Sequence, residues 1–232
     1  LFVVKNGKQI IGRIAALINW IEVKEQAKTK VRFGWYDTID DLDVSRMLID
    51  AVHSWGKQKG LTYLEGPMGF SNMDKAGVLV QGYEYKNTMI TWYHYPYQKK
   101  HLEELGLVKQ AEWVEYQIKI FKAEDAPKKV KKYAKLISKR YELSALEFST
   151  RKELVPYVDK MFDLLNKTYN NLQSFVPIQP YQIAHYKEKY LTYIHPRFIK
   201  CVADKSGNLI AFAITMPSFS EALKKVNGSL YP

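Results

Sequence analysis

The chain has 232 residues, of which 47% are hydrophobic and 14% aromatic, and its formal net charge is +11. This length allows one large domain or two modest ones, and the composition excludes a disordered or collagen-like chain. The single cysteine, Cys201, excludes an internal disulfide and a zinc site built from cysteines. No apolar run approaches the ~18–20 residues that span a bilayer, and we expect a cytoplasmic protein.

The first part of the sequence predicts a hairpin followed by a parallel crossover. Asn6-Gly7 is typical of a tight turn between two strands, and residues 31–36 predict a third strand. Apolar residues recur with helical spacing over residues 44–59, and a short strand is predicted at 61–64. The order strand, helix, strand indicates parallel pairing.

Two further extended segments are predicted before the middle of the chain, the first as a strand or an extended edge and the second as a half-buried strand. Residues 88–95 are rich in aromatic side chains and end at Pro96, and residues 109–121 alternate between apolar and polar side chains. A short helix over residues 98–105 is predicted between them.

The second part predicts two helices and another hairpin. Thr150 and Glu153 have the spacing of a capping box, while Pro156 leaves open a helix start near Val155. A second helix is predicted from Pro180, and residues 198–216 predict a hairpin similar to the opening one.

This order of elements resembles the fold of the GNAT N-acetyltransferases, with two incomplete units in tandem. Residues 1–121 resemble a degenerate unit from its second strand onward, residues 122–147 a basic helical connector, and residues 148–232 the opening of a second unit. The phrases Gly66-Pro-Met-Gly-Phe-Ser-Asn-Met-Asp and Arg32-Phe-Gly-Trp-Tyr-Asp resemble bacterial GNAT-like proteins of unassigned substrate. The resemblance implies an α/β fold of the α+β type with a mixed sheet, and we expect the chain to be part of a longer polypeptide.

The resemblance implies transfer of an acyl group from acyl-CoA to an amine on a small-molecule or peptide substrate. Members of the superfamily cradle the coenzyme diphosphate on a glycine-rich turn at a helix N-terminus, because bare backbone amides bind phosphate. Residues 37–45 have no glycine there and contain four aspartates, Asp37, Asp40, Asp41 and Asp43. We therefore expect any acyl-CoA to bind outside residues 1–121.

A second departure concerns the tyrosine that often acts as the acid in that superfamily, since its position here holds Leu102. The first unit is therefore interpreted as non-catalytic. A non-catalytic ligand-binding or scaffolding protein that keeps the fold remains the alternative.

The best candidate for a substrate site joins a glycine-containing loop to the aromatic segment, because aromatic side chains offer apolar area with a polar tip. Packing of the aromatic side chains in a core is the alternative. The predicted substrate-binding residues are Gly66, Pro67, Met68, Gly69, Phe70, Ser71, Trp92, Tyr93 and Tyr95. The four aspartates could bind a divalent cation, but their spacing favours helix capping, and no metal is expected. The five histidines show no catalytic spacing.

The excess of positive charge is concentrated in the middle of the chain. Between Lys119 and Lys152 there are eleven basic and four acidic residues. Such a stretch can attract nucleic acid or an anionic surface, but no nucleic-acid motif accompanies it. We expect a solvated helix face, with neither nucleic acid nor a membrane as partner.

Overall fold

A computed structural model describes residues 1–88, 90–118, 122–191 and 194–229. The helices and strands in chain order are β1 (Phe2–Asn6), β2 (Gln9–Leu17), α1 (Trp20–Lys24), β3 (Lys30–Thr38), α2 (Leu42–Gln58), β4 (Tyr63–Glu65), α3 (Pro96–Glu104), α4 (Lys128–Arg140), β5 (Ser144–Leu146), α5 (Arg151–Thr168), α6 (Pro180–Leu191), β6 (Ile199–Ala203), β7 (Leu209–Ile214) and α7 (Ser220–Lys225). The architecture is mixed α/β, with one mixed and one antiparallel sheet.

The chain divides into two compact units. Unit 1 consists of Leu1–Glu112, Gln173–Val176 and Ser218–Pro232, and unit 2 consists of Trp113–Leu172 and Pro177–Pro217. Unit 1 therefore takes two short segments from the later part of the chain.

Unit 1 contains a four-stranded sheet in the order β1, β2, β3, β4. Gly7 has a φ of 59° in the β1–β2 turn, which confirms the predicted hairpin. Strands β3 and β4 are parallel, with Lys30 opposite Tyr63 and Arg32 opposite Glu65, so the predicted crossover is also confirmed.

The core of unit 1 lies between the sheet and α2. Leu48 and Val52 on α2 are buried with Ile14, Val31 and Phe33 on the strands. The apolar stripe of the sequence therefore faces the sheet, and this packing fixes where β3 and the N-terminus of α2 lie.

Strand β3 has a β-bulge beside β2. Arg13 pairs with Asp37 but Ala15 pairs with Gly34, and Trp35 has a φ of 48° between these pairs. A bulge interrupts the ladder and changes the direction in which side chains point. Because β4 pairs only with the first three residues of β3, the bulged part lies beyond the parallel pairing.

Unit 2 contains the antiparallel sheet β5, β6, β7, with α5 packed on it. The Thr150 side chain accepts from the Glu153 amide, so the capping box is confirmed, and α5 begins at Arg151 rather than near Val155. Pro156 lies inside the helix. Helix α6 begins at Pro180 and the β6–β7 hairpin follows, as predicted.

Two strand predictions are wrong for the residues that the structure describes. Residues 88 and 90–95 form no strand, and neither do residues 109–118; residues 89 and 119–121 lie outside the described ranges. In the aromatic segment, side chains make local bonds to the backbone instead, such as that from Tyr93 Oη to Tyr83 O at 3.0 Å. Within the described ranges, no helix is both long and apolar enough to cross a membrane.

Candidate functional site

The loop at residues 66–71 lies directly against β3. The Met68 amide donates to Phe33 O at 2.7 Å, and a Cβ on Gly66 would come within 2.3 Å of the same carbonyl oxygen. A Cβ on Gly34 would likewise meet Met68 O at 2.3 Å. Glycine is therefore required on both sides of this contact, because any side chain would push two backbones apart.

Three polar contacts hold the rest of this loop in place. Arg32 Nη1 donates to Gly69 O at 2.8 Å, and Asn19 Nδ2 donates to Phe70 O at 3.1 Å. The Ser71 amide donates to Asp74 Oδ2 at 3.0 Å. The glycines of the predicted site thus form a fixed backbone surface.

Beside the loop is a group of charges that we call the ionic cluster, formed by the buried Glu22, Lys30 and Arg32 and the partly buried Glu65. Arg32 Nε donates to Glu22 Oε2 at 2.7 Å, and Lys30 Nζ lies 2.8 Å from Glu22 Oε1 as an ion pair. Lys30 also donates to Glu65 and, at 2.9 Å, to Ser174 Oγ. The cluster was not predicted, because charged side chains in a strand usually point to solvent.

The ionic cluster is close to electrically neutral, since it contains two cations and two carboxylates. Burial raises the pKa of Glu65, but hydrogen bonds from Lys30 and Ser174 outweigh that effect, and the net pKa is lowered. Glu65 is therefore held as a carboxylate and is poorly suited to act as a general base. The ionic cluster as a whole suits a positioning role, because Arg32, which Glu22 holds in place, donates to the loop at Gly69 O.

The aromatic residues of the predicted site are connected to the loop only through residues 75–77, which lie between them in the sequence, among the described contacts. Lys75 Nζ lies 4.5 Å from the centre of the Trp92 ring, and the Gly77 amide donates to Pro67 O at 2.7 Å. Tyr93 and Tyr95 are 44% and 57% exposed, with ring centres 6.0 Å apart. These tyrosines are not core residues, so they remain able to contact a ligand.

His94 lies between the exposed tyrosines but points inward. It is 5% exposed, and its Nδ1 atom has no hydrogen-bond partner among the described residues. Burial lowers its pKa, partly offset by the charge of Asp37. A neutral buried imidazole with a vacant ring nitrogen is a group that can accept or donate a proton.

A hydrogen-bonded chain that the sequence did not reveal joins β3, α2 and α3. Tyr36 Oη donates to Ser45 Oγ at 2.8 Å, and Ser45 Oγ lies 2.9 Å from Nδ1 of His101. His101 Nε2 lies 3.2 Å from Oδ1 of Asp40. Ser45 and His101 are 56 residues apart, so only the packing of α3 near the start of α2 brings them together.

The hydrogen-bonded series from Tyr36 to Asp40 resembles a serine, histidine and aspartate triad only in the residue types that it contains. Ser45 is completely buried, so its hydroxyl cannot meet a substrate in this conformation. Burial raises the pKa of Tyr36, which keeps its phenol protonated and donating. The arrangement connects the core to the exposed Asp40 and positions α3.

The aspartates before α2 occupy the helix N-terminus. Asp41 Oδ1 accepts from the amides of Asp43 and Val44 at 2.9 and 3.3 Å, which confirms the predicted cap. Asp37 lies 3.6 Å from Arg13. No group of three or more metal-ligating side chains occurs in the described ranges. Leu102 is buried in the core of unit 1.

Comparison with known proteins gives two distant relatives. The chain is 25% identical over 231 residues to protein YghO of Escherichia coli (strain K12), a match that covers 100% of this chain and 58% of that protein. It is 22% identical over 234 residues to a bacterial ceramide synthase of Caulobacter vibrioides, covering 100% of this chain and 59% of that protein. No family profile matches the chain. No solved structure matches it either. The chain thus spans less than two thirds of the length of these relatives.

Proposed function

We propose that this chain is part of a GNAT-like N-acyltransferase, which transfers an acyl group from acyl-CoA to the amine of a substrate. The observation that carries the proposal is the bulged strand β3 beside the short parallel strand β4. Beyond that pairing, the loop at residues 66–71 takes the place of β4 along β3 and is held there by the bond from the Met68 amide to Phe33 O. A fixed backbone beside a bulged strand can contact and orient a substrate.

The distant relatives support the same chemistry. Ceramide is the amide of a fatty acid with a long-chain amino alcohol, so an enzyme that makes it joins an acyl group to an amine. Because the match with that relative covers this whole chain, we extend the same amide-forming chemistry to it. The identity of 22% leaves the amine substrate of this protein to experiment.

Within this proposal, residues 1–121 are a degenerate unit that shapes the substrate groove, residues 122–147 connect it to the next, and residues 148–232 open a second unit. Asp41 occupies the amides that would otherwise bind the coenzyme diphosphate. We therefore propose that acyl-CoA binds outside residues 1–121, and that the loop at 66–71 with Trp92, Tyr93 and Tyr95 contacts the amine substrate.

Thermal unfolding of the full-length protein with acyl-CoA tests the proposal. A ligand present at a hundred times its dissociation constant adds about 2.7 kcal/mol to the free energy of unfolding. We expect acetyl-CoA or a long-chain acyl-CoA to raise the melting temperature, and acyl transfer to a long-chain amine to be measurable. No stabilisation at millimolar ligand would contradict the proposal.

The Asp41 cap at the N-terminus of α2 provides a matched control for the location of the coenzyme. Asp41→Ala should lower the stability by about 1 kcal/mol through the loss of the cap. The additional stabilisation by acyl-CoA should stay unchanged, because the proposal does not place the diphosphate there. A change in that increment would contradict this part of the proposal.

A second candidate is a non-catalytic protein that binds a ligand through the same fold. It is favoured by the occupied helix N-terminus at Asp41 and by the burial of Leu102 where a catalytic tyrosine would stand. It predicts ligand binding by the full-length protein without product formation.

A further inference from the structure

Helix α4 has a composition that differs from that of the other helices. It carries six lysines and one arginine and no acidic residue over its 13 residues. No side chain of the helix is buried, although its sequence contains several apolar residues. A helix of a globular unit normally buries an apolar stripe, so this one has an apolar face without a partner in the described part of the chain.

Most of the apolar side chains of α4 lie on the face opposite to four of its lysines, while Leu136 and the remaining basic residues lie on the flanks between these two faces. With 3.6 residues per turn, Val130, Tyr133, Ala134 and Ile137 fall within an arc of about 100°, which we call the apolar face of α4. The side chains of Lys128, Lys132, Lys135 and Lys139 fall within an arc of about 60° on the other side. The arrangement is therefore amphipathic rather than merely basic.

The exposure of the apolar face is large. Val130 and Tyr133 are 58% and 57% exposed, and Ile137 is 46% exposed. Solvated basic helices do not need such residues, and a nucleic-acid partner would make no use of aliphatic side chains spaced along one face. An occupant with an apolar interior and an anionic boundary would satisfy both faces.

The positive charges are also uncompensated. No carboxylate of the described residues lies within ion-pair distance of a lysine or the arginine of α4. Lys131 Nζ donates to the backbone carbonyl of Glu124, and the Arg140 guanidinium lies 5.4 Å from the centre of the Tyr141 ring. Seven cations without counter-ions constitute a strong attraction for an anionic surface.

The chain on the C-terminal side holds α4 to the sheet of unit 2. The Leu143 amide donates to Ser138 O at 2.9 Å, and β5 then pairs with β6. The helix is therefore attached to a folded edge through a connection of three residues, so anything that binds α4 also determines where the sheet of unit 2 lies.

We infer that α4 is an interfacial helix that binds the surface of an anionic lipid bilayer. The apolar face of α4 enters the boundary between headgroups and acyl chains, and the lysines remain among the anionic headgroups and water. Clusters of four to eight basic residues on an amphipathic helix are typical of this mode of binding. The inference departs from the sequence-based expectation that no membrane is involved, and it is independent of the proposed acyl transfer.

Co-sedimentation of the full-length protein with vesicles tests the inference. The protein should bind vesicles of phosphatidylcholine mixed with phosphatidylglycerol, bind neutral phosphatidylcholine vesicles far more weakly, and lose affinity as salt is added. Equal affinity for both vesicle types, or no binding, would overturn it. Binding to RNA or DNA in the absence of vesicle binding would also overturn it.

Matched variants separate this helix from the net charge of the protein. Changing Lys128, Lys132 and Lys135 together to Gln should weaken binding to the anionic vesicles by about a hundredfold. Changing the exposed Lys5, Lys8 and Lys59 of unit 1 to Gln removes the same charge and should have little effect. Equal losses in the two variants would contradict a role for α4. Circular dichroism of both variants checks that they remain folded.

An introduced cysteine reports the orientation of the helix. Because Cys201 is buried, a polarity-sensitive dye should label Ala134→Cys or Lys139→Cys selectively. On addition of anionic vesicles, the dye at position 134 should enter an apolar environment while the dye at 139 stays in water. A dye at 134 that is already shielded without vesicles would show that protein covers this face, and would overturn the inference.

Discussion

Lys30 Nζ lies 2.8 Å from Oε1 of Glu22, and both side chains are 1% exposed. A buried ion pair adds little net stability, because both charges lose their hydration on folding. Removing one partner is costly, since the other charge stays buried without compensation. The pair therefore determines how β3 and α1 pack rather than acting as a source of excess stability.

The first prediction concerns Glu22. Glu22→Ala leaves both Lys30 and Arg32 without this carboxylate, and we expect the free energy of unfolding to fall by about 3–5 kcal/mol. Urea denaturation should show a lower midpoint. The matched control is Asp37→Ala, which breaks an exposed pair with Arg13 and should barely move the midpoint. Similar shifts for the two variants would contradict the burial of the cluster.

The second prediction concerns the pH dependence that Glu65 confers. Its pKa is lower in the folded protein than the ordinary value of 4.5, so the folded state holds the proton less tightly than the unfolded state. The stabilisation is present above pH 4.5 and is lost as the pH falls through the folded pKa. Glu65→Gln should remove this part of the acid dependence, as measured by urea unfolding at a series of pH values. If the free energy of unfolding has the same pH dependence in the wild type and in Glu65→Gln, Glu65 is not the source of this acid dependence.

Part of this structure follows from the sequence and part does not. The Asn6-Gly7 turn, the stripe of α2 and the cap at Thr150 were predictable because each depends on neighbours along the chain. The ionic cluster was not, because the contacts of Lys30 with Glu65 and Ser174 span 35 and 144 residues. Nothing local marks a lysine as buried.

The same reason explains the incorrect strands and the missed hydrogen-bonded chain. Aromatic residues at 88–95 fit a strand, but a strand also needs an edge to pair with, which a single segment does not reveal. Ser45 and His101 show no common motif, and only the tertiary packing brings them together. Whether the loop at 66–71 binds substrate remains a prediction.

The third prediction concerns His94. Its Nδ1 atom is buried without a partner, so His94→Phe should raise the free energy of unfolding at pH 7 by about 1 kcal/mol. The folded pKa is below the ordinary value of 6.5, so the wild type should lose stability as the pH falls below 6.5 while the unfolded chain takes up the proton. The variant should lose less over that range.

Activity of the same variant distinguishes a structural from a catalytic His94. If acyl transfer by the full-length protein is abolished while stability increases, the ring serves the reaction. If the variant keeps both its acyl-transfer activity and its stability, the His94 ring serves only to pack against its neighbours. A strong loss of stability at pH 7 would contradict the finding that His94 Nδ1 is buried without a hydrogen-bond partner.

The fourth prediction concerns the chain that leads from Tyr36 to Asp40. Ser45→Ala leaves the Tyr36 hydroxyl and His101 Nδ1 buried without their shared partner, and it should cost about 1–3 kcal/mol. Asp40→Ala should cost less, because Asp40 is 71% exposed. The stabilities are measured by urea unfolding, and a double-mutant cycle between Ser45 and His101 should show coupling. Additive effects in that cycle would contradict the hydrogen bond.

The last prediction concerns the contact between β3 and the loop at 66–71. A Cβ on Gly34 would lie 2.3 Å from the Met68 carbonyl oxygen, which is backbone and cannot rotate away. Gly34→Ala should therefore both destabilise unit 1 and displace the loop. Gly12→Ala is the matched control on the adjacent strand, where the nearest atoms are side-chain methyl groups of Val44 and Leu48 at 2.8 and 3.0 Å, so this variant tests crowding of the core without contact with the loop.

Hydrogen exchange separates the two effects of Gly34→Ala. The Met68 and Gly77 amides, which bond to Phe33 O and Pro67 O, should exchange faster in Gly34→Ala than in Gly12→Ala at matched stability. If the loop contributes to substrate binding as proposed, the Michaelis constant for the amine should rise in Gly34→Ala while acyl-CoA still stabilises the protein. Unchanged exchange at both amides would show that the loop does not depend on the close approach at Gly34.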